Sequence, residues 1–173
     1  MESSSLLPIL QDRQCGSCSL CCKLLPIAKS DVFDFEKAAG EWCSHCAPGL
    51  GGCTIYDTRP QGCRNYKCEW LKGNLPEALK PDTINAIFEQ KQVENIPYYL
   101  IVWDSTQPLH PELERFLLTL NGKQRLLIYD CPKEFGPDQP YIAGLGETEE
   151  KRHQDALKLR AAFKRQGEQE NIR

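Results

Sequence analysis

Apolar and polar positions along this chain fall into two textures, and the change comes just past residue 72. Beyond it the pattern is regular. Residues 84–91 (Ile-Asn-Ala-Ile-Phe-Glu-Gln-Lys) and 97–104 (Pro-Tyr-Tyr-Leu-Ile-Val-Trp-Asp) are rich in β-branched and aromatic side chains. The polar stretch from Gln92 to Asn95 joins them, which predicts a hairpin. Residues 110–121 switch to helical spacing, with Leu113, Phe116, Leu117 and Leu120 on one stripe and Asn121-Gly122 as the stop. A third strand is expected over 125–131 and a short edge strand over 141–143. A last helix should run from a Thr148 cap to about residue 166, with Ala156, Leu159 and Phe163 on its apolar face.

Before residue 72 the periodicity fades. Glycine and turn residues replace it, as at Pro48-Gly49, Gly51-Gly52, Arg59-Pro60 and Gln61-Gly62. One short helix is expected there, capped by Ser30 or Asp31, carrying Phe33, Phe35 and Ala38 and stopped by Gly40. Three stretches follow: a tail over 1–14, a cysteine-cluster metal-binding region over 15–72, and a small α+β region over 73–173 ending in a charged helix. The fold class expected is α+β, a metal-stabilised irregular region packed on a small antiparallel sheet with two helices.

Composition narrows the partners. A formal charge of −3 gives no global reason for contact with DNA, RNA or an anionic surface, so neither nucleic acid nor membrane is expected as a partner. No stretch approaches the ~18 consecutive apolar residues of a spanning helix. The opening residues, Met-Glu-Ser-Ser-Ser-Leu-Leu-Pro, lack a basic segment followed by a long apolar one, so a cytoplasmic location is expected.

Cysteine changes the picture most. Nine of the ten cysteines lie between Cys15 and Cys68: Cys15, Cys18, Cys21 and Cys22, then Cys43 and Cys46, then Cys53, Cys63 and Cys68. In a reducing compartment such thiols do not pair as disulfides, and thiolates two residues apart can close onto one ion. A disulfide scaffold is the other reading of an even count. The missing export signal and an apolar second half that needs no staples argue against it.

Cys15-Gly-Ser-Cys18-Ser-Leu-Cys21-Cys22, Trp42-Cys43-Ser-His45-Cys46 and the run from Gly52-Cys53 through Arg59-Pro60, Cys63-Arg64 and Cys68-Glu69-Trp70-Leu71 resemble the YkgJ-type CxxCxxCC cysteine-cluster family. The resemblance covers about one third of the chain. It implies chelation of zinc or iron, with no defined biochemical role.

The ligand chemistry can be argued beside it. Adjacent cysteines such as Cys21 and Cys22 project apart, so they suit two metals better than one. Eight thiolates fill two four-cysteine zinc sites; nine serve a three-zinc cluster with bridging sulfur. An iron–sulfur reading starts from the Cys15, Cys18, Cys21 spacing with a remote fourth ligand, although Cys22 follows at once. Arg59 and Arg64, flanking Cys63, are candidates to hydrogen-bond the sulfurs of the bound cofactor, with Lys23, Lys29 and Lys67 as further cations. His45 is expected to point out of its turn, and Cys131 to be a buried structural thiol at a strand end. Trp42, Tyr56, Tyr66 and Trp70 are expected to form an apolar shell.

No Gly-rich nucleotide loop, nucleophile elbow or H-E-x-x-H is present. Three readings remain open: a metal-binding accessory module with an unidentified protein partner, an iron–sulfur redox protein, and a metal-transfer protein.

Overall fold

The computed structural model describes residues 13–30, 33–46, 52–120, 123–131, 141–143, 148 and, further on, 150, 151, 154, 157, 158, 161, 162 and 165. A four-stranded sheet organises them, in the order β1 (Ala86–Val93), β2 (Ile96–Asp104), β3 (Leu126–Cys131), β4 (Tyr141–Ala143). The expected hairpin is present, paired from Val93↔Ile96 to Ala86↔Trp103. Its two turn residues, Glu94 (φ 45°) and Asn95 (φ 66°), both take the left-handed conformation that matches the twist of paired strands.

The sheet is mixed, not antiparallel as expected. β2 and β3 run parallel, in register from Tyr99↔Leu126 to Asp104↔Cys131, whereas β3 and β4 are antiparallel. The physical reason lies in the connection: α4 (Pro111–Leu120) sits between β2 and β3. A helix-bearing link of that length carries the chain back across the sheet, so the next strand starts at the same end.

Alternation along the strands gives the sheet two buried faces. Phe88, Ile101, Leu126 and Ala86 pack on one with Leu113 of α4, Leu79, Ile84 and Trp70. Ile87, Val102 and Cys131 pack on the other with Leu20 and Leu24, the apolar residues of α1 (Leu20–Leu24). Further along that second face, Val93, Tyr98 and Leu127 meet Ala162. A helical backbone is present at the described positions between Glu150 and Arg165, and the Thr148 hydroxyl accepts the Lys151 N–H at 3.3 Å, as a cap should. Ala156, Leu159 and Phe163 of the expected apolar face lie outside the described residues, as does most of the 1–14 tail.

Arg13, at the end of that tail, is fastened to the body. It donates to the carbonyls of Trp70 and Leu75 at 2.8 Å each and lies over the Trp70 ring, 4.8 Å from its centre. Two short helices, unexpected from the sequence, complete the frame: α2 (Gln61–Asn65) and α3 (Pro81–Ile84). Pro81 opens α3, and Asn85 closes it at φ 55°. The described residues of the helix expected after Ser30, 33–40, are not helical. Ser30 and Phe33 exchange backbone hydrogen bonds instead, as do Ile27 and Lys37, so the segment folds as a small bridged loop. Too few apolar positions recur there for a helical face, and the bridge satisfies the same backbone groups.

Candidate metal centre

Each cysteine motif is delivered by a different local device. The Cys18 N–H donates to the Cys15 carbonyl and the Cys46 N–H to that of Cys43, each at 2.9 Å, so both C-x2-C pairs form tight turns. Gly16 sits in the first turn at φ 55°. Cys21 and Cys22 ride on α1, whose apolar residues Leu20 and Leu24 anchor it to the sheet. Cys63 lies in α2. The Phe33 ring packs so closely on Gly62 that a Cβ there would overlap it. A backbone bond from the Cys43 N–H to the Cys22 carbonyl, 2.9 Å, joins the first motif to the second.

These devices converge on one cavity of about 370 Å³. Cys15, Cys18, Cys21, Cys22, Cys43, Cys53 and Cys63 line it, and its remaining wall includes Phe33, Phe35, Ile55, Tyr56, Tyr66 and Leu100. Of the two other cysteines, Cys46 lies beside Cys22 and Cys53 and donates its Sγ–H to the Gly52 carbonyl at 3.3 Å. Cys68 lies beside Cys15. No disulfide joins any of the ten cysteines in the structure. Among the described residues, no three His, Cys, Asp or Glu side chains stand close enough together to hold an ion.

The sulfurs form a continuous run of neighbours, with Cys22 hydrogen-bonded to both Cys21 and Cys46. Cys15 interacts electrostatically with both Cys18 and Cys68, and the Tyr66 phenol with both Cys21 and Cys68. Cys22 adjoins Cys46, while Cys63 faces Cys22, Cys43 and Cys53. The adjacent residues Cys21 and Cys22 are hydrogen-bonded to each other, so this pair links the sulfurs on either side of it.

The electrostatics follow from crowding thiols where water is scarce. Burial pushes Cys18 and Cys46 up to about 11 and also raises Cys63 and Cys68. Cys22 is raised further, first by its hydrogen bond with Cys21 and then by burial. Ionising so many neighbouring sulfurs needs a cation, and an all-sulfur donor set suits zinc, iron or an iron–sulfur cluster. The donor type suits such a group, while the spacing of the described donors does not close on an ion.

The expected flanking cations separate. Arg59 lines the cavity, with its guanidinium 3.5 Å from the centre of the Tyr56 ring, and its charge favours the Cys63 thiolate. Arg64 is exposed on α2 and outside the described lining. Lys23 is committed elsewhere: its Nζ lies 2.6 Å from the buried Asp104 carboxylate. Lys37, which the sequence does not single out, faces Cys43 and Cys22. Burial lowers its pKa, and those two thiols work against the lowering.

His45 does not point outward as expected. It lines the cavity and meets Phe35 edge-on, ring centres 6.2 Å apart. Cys131 is fully buried beneath α1, its Sγ 3.6 Å from the Leu24 carbonyl. Of the expected aromatic shell, Tyr56 and Tyr66 line the cavity, whereas Trp70 belongs to the core on the other face of the sheet. Phe33 and Phe35 stand in the cavity wall instead. Their burial depends on a loop that periodicity does not reveal.

A curated protein of Bacillus subtilis (strain 168), the uncharacterized protein YybG, is 30% identical over 138 residues, covering 65% of this chain and 49% of its own length. The chain thus spans about half the length of that relative. No family model matches the chain. No solved structure matches it either. Among the described residues, no helix is long and apolar enough to cross a membrane.

Proposed function

We propose that this protein binds zinc or iron in a polynuclear cysteine cluster built from Cys15, Cys18, Cys21, Cys22, Cys43, Cys46, Cys53, Cys63 and Cys68, and that it serves in the cytoplasm as a binding or accessory module. The observation carrying this reading is that seven of these thiols, from four separate stretches of chain, wall a single cavity, with the other two beside it. Packing alone gives no reason to gather weak hydrogen-bonding groups in one place. A soft-ligand metal does. Binding would draw the sulfurs inward by adjustment of the turns that carry them.

When bound, the metal supplies charge neutralisation and cross-links between segments that have few apolar contacts of their own. The chain's own residues do the rest. Arg59 offsets thiolate charge at Cys63, Phe33 and Phe35 limit access of water, and α1 carries the Cys21-Cys22 pair into the cavity wall. The resemblance to the CxxCxxCC family supports the same reading.

An iron–sulfur redox protein is the second reading. Its support is specific: Cys68 beside Cys15, with Cys21 near by, offers the remote fourth ligand that a C-x2-C-x2-C run requires. Metal analysis of full-length protein purified without oxygen, with an ultraviolet–visible spectrum, tests both. Two or more zinc or iron ions per chain are expected, and visible absorption that bleaches on reduction would select the iron–sulfur form. Protein free of metal, with its thiols oxidised to disulfides in the cell, would overturn both.

A further inference from the structure

Lys37 looks like an ordinary surface charge in the sequence, but its side chain is enclosed by backbone. Its main chain exchanges hydrogen bonds with Ile27 at 3.0 and 2.9 Å. From that anchor the side chain reaches back to α1. There Nζ meets the carbonyl oxygens of Lys23 at 3.2 Å, Leu25 at 2.5 Å, Ala38 at 3.1 Å and Glu41 at 3.0 Å. An ammonium has three N–H bonds, so its whole donor capacity is used within this cage.

The four carbonyls come from two places. Lys23 and Leu25 lie at the C-terminal end of α1, the helix that carries Cys21 and Cys22. Ala38 and Glu41 lie in the turn that leads directly into Cys43. One side chain therefore ties together the segments bearing the first two cysteine motifs, at the junction where the Cys43 N–H meets the Cys22 carbonyl. Were Cys43 and Cys22 ionised, as metal ligands are, their sulfurs would be the charges that most favour the ammonium.

We propose that Lys37 is a positioning residue for the metal site: a cationic clamp that sets Cys22 against Cys43 before metal arrives and offsets thiolate charge once it has. The second half of this statement rests on the chelation reading above. The first half rests on the hydrogen bonds alone. Lysine suits the role because a compact ammonium can serve converging carbonyls, whereas the planar guanidinium of arginine cannot enter the same cage.

The test uses the full-length reduced chain and three variants, Lys37→Met, Lys37→Arg and Lys37→Gln. In metal-free protein, amide hydrogen exchange at Cys43 should speed up tenfold or more in Lys37→Met while the β2 amides stay unchanged. In zinc competition against a chromophoric chelator, the same variant should bind at least tenfold more weakly, with Lys37→Arg in between because it restores charge without the cage.

Unchanged protection at Cys43 in Lys37→Met overturns the clamp, whatever the zinc affinity. Weakened protection with unchanged zinc affinity overturns its role in the metal site. Wild-type protein that takes up neither zinc nor iron, with Cys43 protection still lost in Lys37→Met, sinks the chelation reading and leaves the clamp standing. Should Lys37→Met lose β2 protection as well, Lys37→Gln, which keeps a donor for part of the cage, decides the matter. Even loss across Cys43 and β2 in both variants overturns the proposal, since Lys37 would then be a general element of the core.

Discussion

Cys21 and Cys22 are hydrogen-bonded neighbours on α1 with different further partners, Tyr66 for Cys21 and Cys46 for Cys22, and this makes them the most informative pair to change. If they serve different ions, Cys21→Ser and Cys22→Ser should each lower the total metal content, which elemental analysis of the purified variants would show. Full occupancy in both would mean a single mononuclear site. Gly62 offers a second test at this scale. A methyl group there overlaps the Phe33 ring, and since that ring forms part of the cavity wall it cannot move without opening the site. Gly62→Ala should cost about 1–3 kcal/mol in denaturant unfolding, the usual penalty for overpacking, and weaken metal retention alongside. The cysteines are legible in the sequence because their spacing alone limits their geometry. Lys37, Phe33 and His45 are not, because what they touch depends on a bridged loop formed by backbone pairing between Ile27 and Lys37.

At the scale of elements, the hairpin and α4 are legible because each repeats its apolar period over several residues, whereas α1, α2 and α3 run for five residues or fewer, too short to show one. The parallel pairing of β2 and β3 has a sequence signal in the helix-bearing link between them, which antiparallel neighbours do not need. The hairpin turn carries its own prediction. Glu94 holds a left-handed conformation that costs a side chain and not a glycine, while its carboxylate takes two hydrogen bonds from Arg165, at 2.7 and 2.6 Å. Salt screens this exposed pair but leaves the backbone strain in place. Glu94→Gly should therefore raise the thermal midpoint at high salt and lose that gain as salt is reduced. A lower midpoint at every salt concentration would show that the ion pair governs the turn.

A second element-scale link joins α1 to β2. Burial works against the Asp104 charge, but hydrogen bonds from Lys23 and Thr106 outweigh it and hold the carboxyl below its ordinary range. A depressed pKa in the folded state means that this contribution is complete above the unfolded value of about 4 and is lost as pH falls through the folded one. Removing one partner of so buried a pair costs about 3–5 kcal/mol. Asp104→Asn should thus be less stable than the parent near neutrality, and the gap should close as pH drops below about 4, read from urea midpoints across that range. A gap that stays constant down to acid pH would assign the effect to packing.

For the whole molecule, the boundary expected near residue 72 marks a change of texture more than a physical seam. Leu20 and Leu24 of the cysteine region bury against Ile87 and Val102 of the sheet, and the Glu69 N–H donates to the Phe88 carbonyl on the outer edge of β1. Glu69 also accepts the Gln90 N–H, so the cysteine-rich segment covers an edge that would otherwise be open to another strand. Metal loss should therefore act in two steps of unequal size. The described residues of 33–66, held mainly by turns and the cavity wall, should lose hydrogen-exchange protection when metal is chelated. The opposite face, where Phe88, Ile101 and Leu113 pack with α4, should keep its protection, because its core contains no residue of that loop. α1 lies between the two: its apolar residues stay on the sheet, so its amides should loosen only partly. Exchange that collapses evenly across the sheet and loops after chelation would show one cooperative unit, and exchange unchanged over 33–66 would show that metal plays no part in holding that region together.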